Sequence, residues 1–82
     1  MATKMRAKLR LHHIVKPYEG QETLFFHAVS KSTSYPEDGS DEDNTYAKFS
    51  PSANLSLTIA NPALLGQFKE GETYYVDFTP AE

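Results

Sequence analysis

The stretch KMRAKLRLHHIV, residues 4–15, alternates between apolar and charged side chains and decides the predicted fold. The apolar set is Met5, Ala7, Leu9 and Leu11, and the polar set is Arg6, Lys8, Arg10 and His12. A period of two residues with one polar side is typical of a β-strand that is buried on one face. We therefore expect this strand to cover a core with one face and to meet solvent with the other.

Four further segments show strand patterns: residues 23–30 (TLFFHAVS), 45–49 (TYAKF), 54–60 (NLSLTIA) and 73–79 (TYYVDFT). The link between the first two strands contains Pro17, Glu19 and Gly20 and is short, which predicts an antiparallel hairpin. Closure into a barrel would protect the edge strands. The pattern predicts a mainly β protein, either a small five-stranded antiparallel barrel or a curled sheet of the OB-like kind.

One short helix is expected before the last strand. Asn61-Pro62 is a favourable start, because Asn is a common N-cap and Pro is favoured at the first helical position. The helix is expected to end before Gly71. Its predicted buried contacts are Leu64, Leu65 and Phe68.

Length and composition limit the classes of protein to which the chain can belong. Its 82 residues make one small β domain, residues 1–82, and the absence of cysteine excludes disulfides, thiolate zinc sites and a cysteine nucleophile. Residues 1–10 are charged rather than apolar, so we expect no signal peptide. No run approaches the roughly 20 apolar residues that span a bilayer, so no membrane partner is expected.

The charges are unevenly distributed along the chain. The net charge is −3, yet the first sixteen residues hold five of the eight basic residues and no acid. Residues 37–43 hold five of the eleven acids and no base. Residues 30–44 are polar throughout, which predicts a long acidic loop.

Segregated charge of this kind suits binding to a protein partner or to another copy of the chain. Pairing of the acidic loop with the basic strand within one molecule is an alternative, and alternating Lys and Arg also suit a plain solvent face. The residues expected to bind a protein partner are Arg6, Lys8, Arg10, Tyr35, Glu37, Asp38, Asp41, Glu42 and Asp43. An alternative is single-stranded nucleic acid, bound through phosphate contacts and aromatic stacking. The residues for that alternative are Arg6, Lys8, Arg10, Tyr18 and Tyr75, with Tyr35 as a further stacking candidate.

Metal and catalytic sites find little support in the sequence. His12 and His13 are adjacent, so a regular strand would direct them to opposite faces, and they could not both bind one metal ion. His27 can lie across the hairpin from one of them, which leaves a two-histidine metal site as an alternative. The acidic loop lacks the EF-hand order, because counting from Asp38 puts Asp43 at position six and Phe49 at position twelve. A calcium site of another kind stays an alternative. We expect no metal, cofactor or small-molecule substrate, and no enzyme, because nucleophile-elbow and phosphate-loop motifs are absent.

The second half of the chain resembles small proteins carried by tailed bacteriophages. The matching pieces are residues 44–51 (NTYAKFSP), Asn61-Pro62, and Gly71 with residues 74–78 (YYVDF), and the resemblance covers about residues 30–82. It implies a phage origin and a location in the host cytoplasm or the virion, and it supplies no catalytic or ligand residues. The expected function is a non-enzymatic phage structural or accessory protein, such as a capsid decoration or head–tail component. The alternatives are an OB-like single-stranded nucleic-acid binder and a phage inhibitor of a host or defence factor.

Overall fold

The structure is a computed structural model and describes residues 5–81. Within this range the chain forms four strands: β1 (Met5–Val15), β2 (Glu22–Ala28), β3 (Asn54–Ile59) and β4 (Thr73–Phe78). They lie in one sheet in the order β3-β2-β1-β4, with every neighbouring pair antiparallel. The sheet is curled into a half-barrel, so the prediction of a mainly β antiparallel fold is confirmed.

β1 lies inside the sheet between β2 and β4, and its alternation predicts correctly which of its faces is buried. Ala7, Leu9 and Leu11 are buried on one face, while Arg6 and Arg10 are exposed on the other. β1 and β2 form the predicted hairpin, and β4 pairs with the other side of β1. We call the two sides the apolar face and the polar face of the sheet.

The core is thin. The molecule measures 48 × 32 × 16 Å along its principal axes, so little more than one layer of side chains covers the apolar face. The buried apolar residues of that core are Ala7, Leu9, Leu11, Leu24, Phe26 and Ile59. Leu11 and Leu24 are fully buried, and each such side chain stabilises the fold by about 1.5–3 kcal/mol.

The fifth strand predicted at residues 45–49 was wrong. These residues form turns and bends, with Ala47 N–H donating to Asn44 O at 3.0 Å. Phe49 has a positive φ of 64°, which interrupts the extended backbone that a strand needs. Within residues 5–81 both β3 and β4 therefore have a neighbour on one side only, and the sheet is open rather than a closed barrel.

The predicted helix at residues 61–70 was also wrong. Asn61 caps the segment as expected, since its Oδ1 accepts from Ala63 N–H at 3.0 Å. The segment forms only turns, because Gly66 adopts a positive φ of 75° and ends the helical path after one turn. Leu65 packs against the core as predicted, whereas Leu64 is 46% exposed.

Candidate functional site

The acidic loop is built onto the sheet by one side chain, Asn44. Its Oδ1 accepts from the backbone N–H of Lys8 at 2.8 Å, and its Nδ2 donates to the carbonyl oxygen of Val29, also at 2.8 Å. Asn44 is fully buried, and it lies where β2 has ended but β1 continues. The next residue, Thr45, exchanges backbone and hydroxyl hydrogen bonds with Arg6. The loop thus extends the edge of β2 along β1.

Asp41 holds this turn of the loop in place. It is 4% exposed, and its carboxylate accepts from the backbone N–H groups of Asp43 and Asn44 and from the Asn44 side chain. Burial is the largest single influence on the pKa of Asp41 and acts to raise it. The hydrogen bonds, with the charge of Lys31, together outweigh burial and leave that pKa below its usual value. The acidic loop is therefore not solvent-exposed along its whole length, since Asp41 and Asn44 are buried in it.

The basic strand and the acidic loop meet inside one molecule. Lys8 Nζ lies 3.6 Å from Asp43 Oδ2, and both side chains are mostly buried. Asp43 Oδ1 also accepts a hydrogen bond from the Tyr75 hydroxyl at 3.1 Å. The basic strand and the acidic loop therefore pair within one molecule at Lys8 and Asp43, which is one of the alternatives considered for the segregated charges.

Arg6 is paired with β4 rather than with the loop. Its Nε donates to Asp77 Oδ1 at 2.7 Å, and its guanidinium lies 4.6 Å from the centre of the Tyr75 ring. The hydrogen bond and the charge of Asp77 raise the pKa of Arg6 above its usual value. Arg10 lies further along the same face, exposed, opposite Thr73 on one side and His27 on the other.

The remaining predicted loop residues are spread over the loop surface. Glu42 bonds Lys31 at 3.0 Å, Asp38 accepts from Ser40 N–H at 3.0 Å, and Glu37 is exposed. Tyr35 packs its ring against Phe49 at 5.8 Å between ring centres. Its hydroxyl is buried and has no hydrogen-bond partner among the described residues. These side chains do not converge on one point, because Glu42 lines an open depression with Asp41 and Tyr46 whereas the other three lie outside it.

The chain matches no protein-family model, no curated protein and no solved structure. The part of the chain that the structure describes contains no helix long and apolar enough to cross a membrane. Among residues 5–81, no three or more His, Asp or Glu side chains are grouped so that they could hold a metal ion.

A β-bulge in β1 places both tandem histidines on the polar face. The pairing with β2 shifts between Leu11 and His13, so His12 is an extra residue in the strand. His13 stacks on Phe25 at 6.1 Å, and His12 contacts His27. The expectation that His12 and His13 point to opposite faces was wrong, because it assumed a regular strand.

His12 and His27 form a close imidazole pair. Their Nδ1 atoms are 3.0 Å apart, the ring centres 4.8 Å apart, and the ring planes tilted by 42°. His13 does not join this pair, since its own Nδ1 faces Glu70 Oε2 at 3.8 Å. The same Glu70 oxygen accepts from the backbone N–H of Ile14 at 2.8 Å, which fixes the strand just after the bulge.

A shallow groove opens at one end of the apolar face. Its floor contains Ala7 and Leu9, and its rim includes Met5, Leu55 and Phe78. Met5 and Phe78 lie directly opposite each other on β1 and β4 and are 36% and 46% exposed. Large apolar side chains at the end of a thin sheet form a surface that a second protein can cover.

Sequence reasoning missed two groups of residues that the structure makes important. Asn44 lies in an acidic run and carried no signal that distinguished it from a solvent-facing side chain. The bulge at His12 lacks the Gly or Pro that would mark a break in a strand. Phe78 lies on β4, which has a neighbouring strand on one side only within residues 5–81, whereas the closed barrel considered from the sequence would have given it two.

Proposed function

We propose that this protein is a non-enzymatic binding protein of a tailed bacteriophage, a structural or accessory component that acts through protein–protein contacts. The resemblance of residues 30–82 to small phage proteins supports the phage context. The observation that carries the binding role is the exposed apolar end of the sheet, where Met5 and Phe78 flank the groove. A copy of the chain or a capsid or tail protein is the partner that this surface fits.

The adjoining edge strand β3 supports the same proposal. Ala28 N–H donates to Ala53 O, so the backbone groups of Ala53 face β2. In an antiparallel pair only every second residue faces its partner strand in this way, so Asn54, Ser56 and Thr58 direct their backbone groups away from β2. The six residues of β3 include no charged residue and no proline. Charged residues and proline are what usually protect an edge strand from pairing with another chain. Leu57, on the apolar face of this strand, is 49% exposed.

The charged residues have a smaller part in this proposal than the sequence suggested. Arg6 pairs with Asp77 and Lys8 with Asp43, so neither is available to a partner without breaking an internal contact. Contacts with a partner then depend mainly on apolar burial, with the outer loop residues Glu37 and Asp38 at the margin. Association driven by apolar burial persists at high salt, whereas association through surface charge weakens.

Light scattering coupled to size-exclusion chromatography tests the proposal across protein concentration at low and high salt. The same purified protein is tested for binding to capsid and tail proteins of the source phage. Wild-type protein is expected to self-associate or to bind one of these proteins at both salt concentrations. Phe78→Thr is expected to weaken the contact at the apolar end, and Ser56→Lys to weaken pairing through the β3 edge.

Tyr18→Thr is the matched control. Tyr18 is 73% exposed in the turn between β1 and β2 and is not among the residues that line the groove. Removing its ring tests whether loss of any exposed aromatic side chain changes association. A monomer at every concentration and salt that binds neither capsid nor tail protein would disprove the proposal.

Single-stranded nucleic acid is a second candidate, favoured by the side chains that the bulge gathers on the polar face. Phe25 and His13 are stacked, and Arg10 and His27 lie opposite each other in register beside them. Aromatic rings next to cationic groups suit stacking of unpaired bases. Tyr75, an expected stacking residue, instead contacts Arg6 and Asp43.

Fluorescence anisotropy with a labelled oligonucleotide tests this candidate. Binding is expected to weaken steeply with salt, because phosphate contacts release counterions. Phe25→Ala is expected to reduce binding, whereas Phe78→Thr, on the opposite face of the sheet, should leave it unchanged. Absence of binding at low ionic strength eliminates the candidate.

A further inference from the structure

We propose that His12 and His27 form a two-histidine site for a divalent transition-metal ion of the Cu²⁺ or Ni²⁺ type, bound through both Nδ1 atoms. The site lies on the polar face of the β1–β2 hairpin, with His12 at the bulge of β1 and His27 on β2. It is independent of the protein-binding role, since the groove is on the opposite face of the sheet.

The spacing of the two rings suits ligands in neighbouring positions of one metal ion. Two nitrogens at about 2.1 Å from a metal are about 3.0 Å apart when they subtend about 90°, and about 3.4 Å apart at a tetrahedral angle. The Nδ1 atoms of His12 and His27 are 3.0 Å apart. This distance favours the square-planar or octahedral geometry of Cu²⁺ and Ni²⁺ over tetrahedral Zn²⁺.

The relative orientation of the rings agrees with this geometry. If the two Nδ1 atoms pointed straight at each other, the ring centres would be about 5.3 Å apart, taking about 1.15 Å from each centre to its nitrogen. The ring centres are 4.8 Å apart and the ring planes are tilted by 42°, so the two rings do not point straight at each other. Where both rings turn to the same side, their lone pairs converge beside the line that joins the nitrogens, and a metal ion would lie there.

The surroundings make the site accessible and define its ligand set. His12 is exposed and His27 is half-buried, so an ion can enter from solvent. No third His, Asp or Glu among residues 5–81 completes a cluster, so water fills the remaining positions. Hard ions such as Mg²⁺ and Ca²⁺ prefer oxygen ligands and are not expected to bind. In the metal-free protein one Nδ1–H must donate to the other ring, and on binding that proton shifts to Nε2 of its own ring.

Calorimetric titration of the intact protein with CuCl₂ and with NiCl₂, followed by histidine ¹H NMR with substoichiometric Cu²⁺, tests the proposal. Wild-type protein is expected to bind one ion, with selective broadening of the His12 and His27 ring signals. His12→Asn and His27→Asn are each expected to weaken binding by at least about tenfold, as loss of a ligand should exceed the effect of losing an outer-shell partner. The double variant should bind no better than either single variant.

His13→Asn is the matched control, because it removes the neighbouring histidine on the same face but leaves the pair intact. It should bind Cu²⁺ and Ni²⁺ with unchanged affinity, and all variants should keep the wild-type far-ultraviolet circular dichroism. Equal affinity in wild type, His12→Asn and His27→Asn would overturn the proposal, as would an equal loss in His13→Asn. In either case the close pair serves only to share a proton between the two strands.

Discussion

The side-chain amide of Asn44 bonds Lys8 in the way a neighbouring strand would. Its Oδ1 accepts from the Lys8 backbone N–H at 2.8 Å, and its Nδ2 donates to the Val29 carbonyl, which lies where β2 has already ended. One buried side chain thus bridges the Lys8 N–H and the Val29 carbonyl, next to the direct hydrogen bond from Val29 N–H to the Lys8 carbonyl at 3.0 Å. The loop that follows β2 depends on this contact.

Replacing Asn44 with alanine should destabilise the protein strongly. The change leaves the Lys8 N–H and the Val29 carbonyl without their partner, and each unsatisfied buried group costs about 1–3 kcal/mol. We expect the free energy of unfolding to fall by about 3 kcal/mol in urea denaturation. Asn61→Ala is the control, since Asn61 is exposed and caps a single turn, and it should cost about 1 kcal/mol or less. Equal losses in the two variants would contradict the role assigned to Asn44.

Stability should decrease in acid because of Asp41. The pKa of Asp41 is lowered in the folded protein. Its stabilising effect is therefore complete above the ordinary aspartate pKa of about 4, and it is lost as the pH falls from there through the lower pKa of the folded state. The lowered pKa values of Asp38 and Glu42 act in the same direction. Urea midpoints measured between neutral pH and acid should show a shallower decline for Asp41→Asn than for wild type. A parallel decline in both would assign the acid sensitivity to other groups.

Gly39→Ala should distort the acidic loop for two separable reasons. Gly39 has a positive φ of 75°, and a Cβ there would overlap the ring of Phe49. We expect a loss of about 2–3 kcal/mol, more than the roughly 1 kcal/mol of positive φ alone. Gly20→Ala isolates the backbone cost, because Gly20 also has a positive φ but has open space around it. Adding Phe49→Ala to Gly39→Ala should recover part of the loss, and failure to do so would exclude the steric contribution.

Glu22 should anchor residues 60–71 to the sheet. It is 2% exposed on the apolar face, and its Oε1 accepts from Gly66 N–H at 3.1 Å. Glu22→Ala should speed hydrogen exchange of the Gly66 amide and lower stability by about 1–3 kcal/mol. Glu22→Gln keeps an acceptor and should retain most of the protection. If Gly66 exchanges equally in wild type and Glu22→Ala, the anchor is not formed in solution.

The sequence predicted the parts of this fold that depend on alternation. Apolar residues such as Leu9 and Leu24 recur at every second position of their strands, and the four strands that show this alternation are all present. The prediction was wrong where one backbone angle decides the outcome, at Phe49 for the fifth strand and at Gly66 for the helix. Phe49 carries no local signal for its positive φ, which is uncommon outside glycine, whereas Gly66 is a residue type that commonly ends a helix and that the prediction did not take into account.

The candidate sites were harder to predict than the strands. The charge segregation was visible, but whether Lys8 meets Asp43 of the same molecule depends on the path of a fifteen-residue loop. That path is set by Asn44, whose partners lie 15 and 36 residues away in the chain. The meeting of His12 with His27 followed from the hairpin, whereas the bulge that places His13 on the same side did not.

The bulge at His12 also changes how the chain should tolerate a deletion. Removing one residue from a strand normally exchanges the inward and outward positions of everything that follows. Here His12 is the extra residue of the bulge and has no partner in the pairing with β2. A chain lacking His12 would therefore still direct Ile14 to the apolar face and His13 to the polar face. This site in β1 should therefore accept the loss of a residue, and a relative shorter by one histidine could keep the same fold while lacking the imidazole pair.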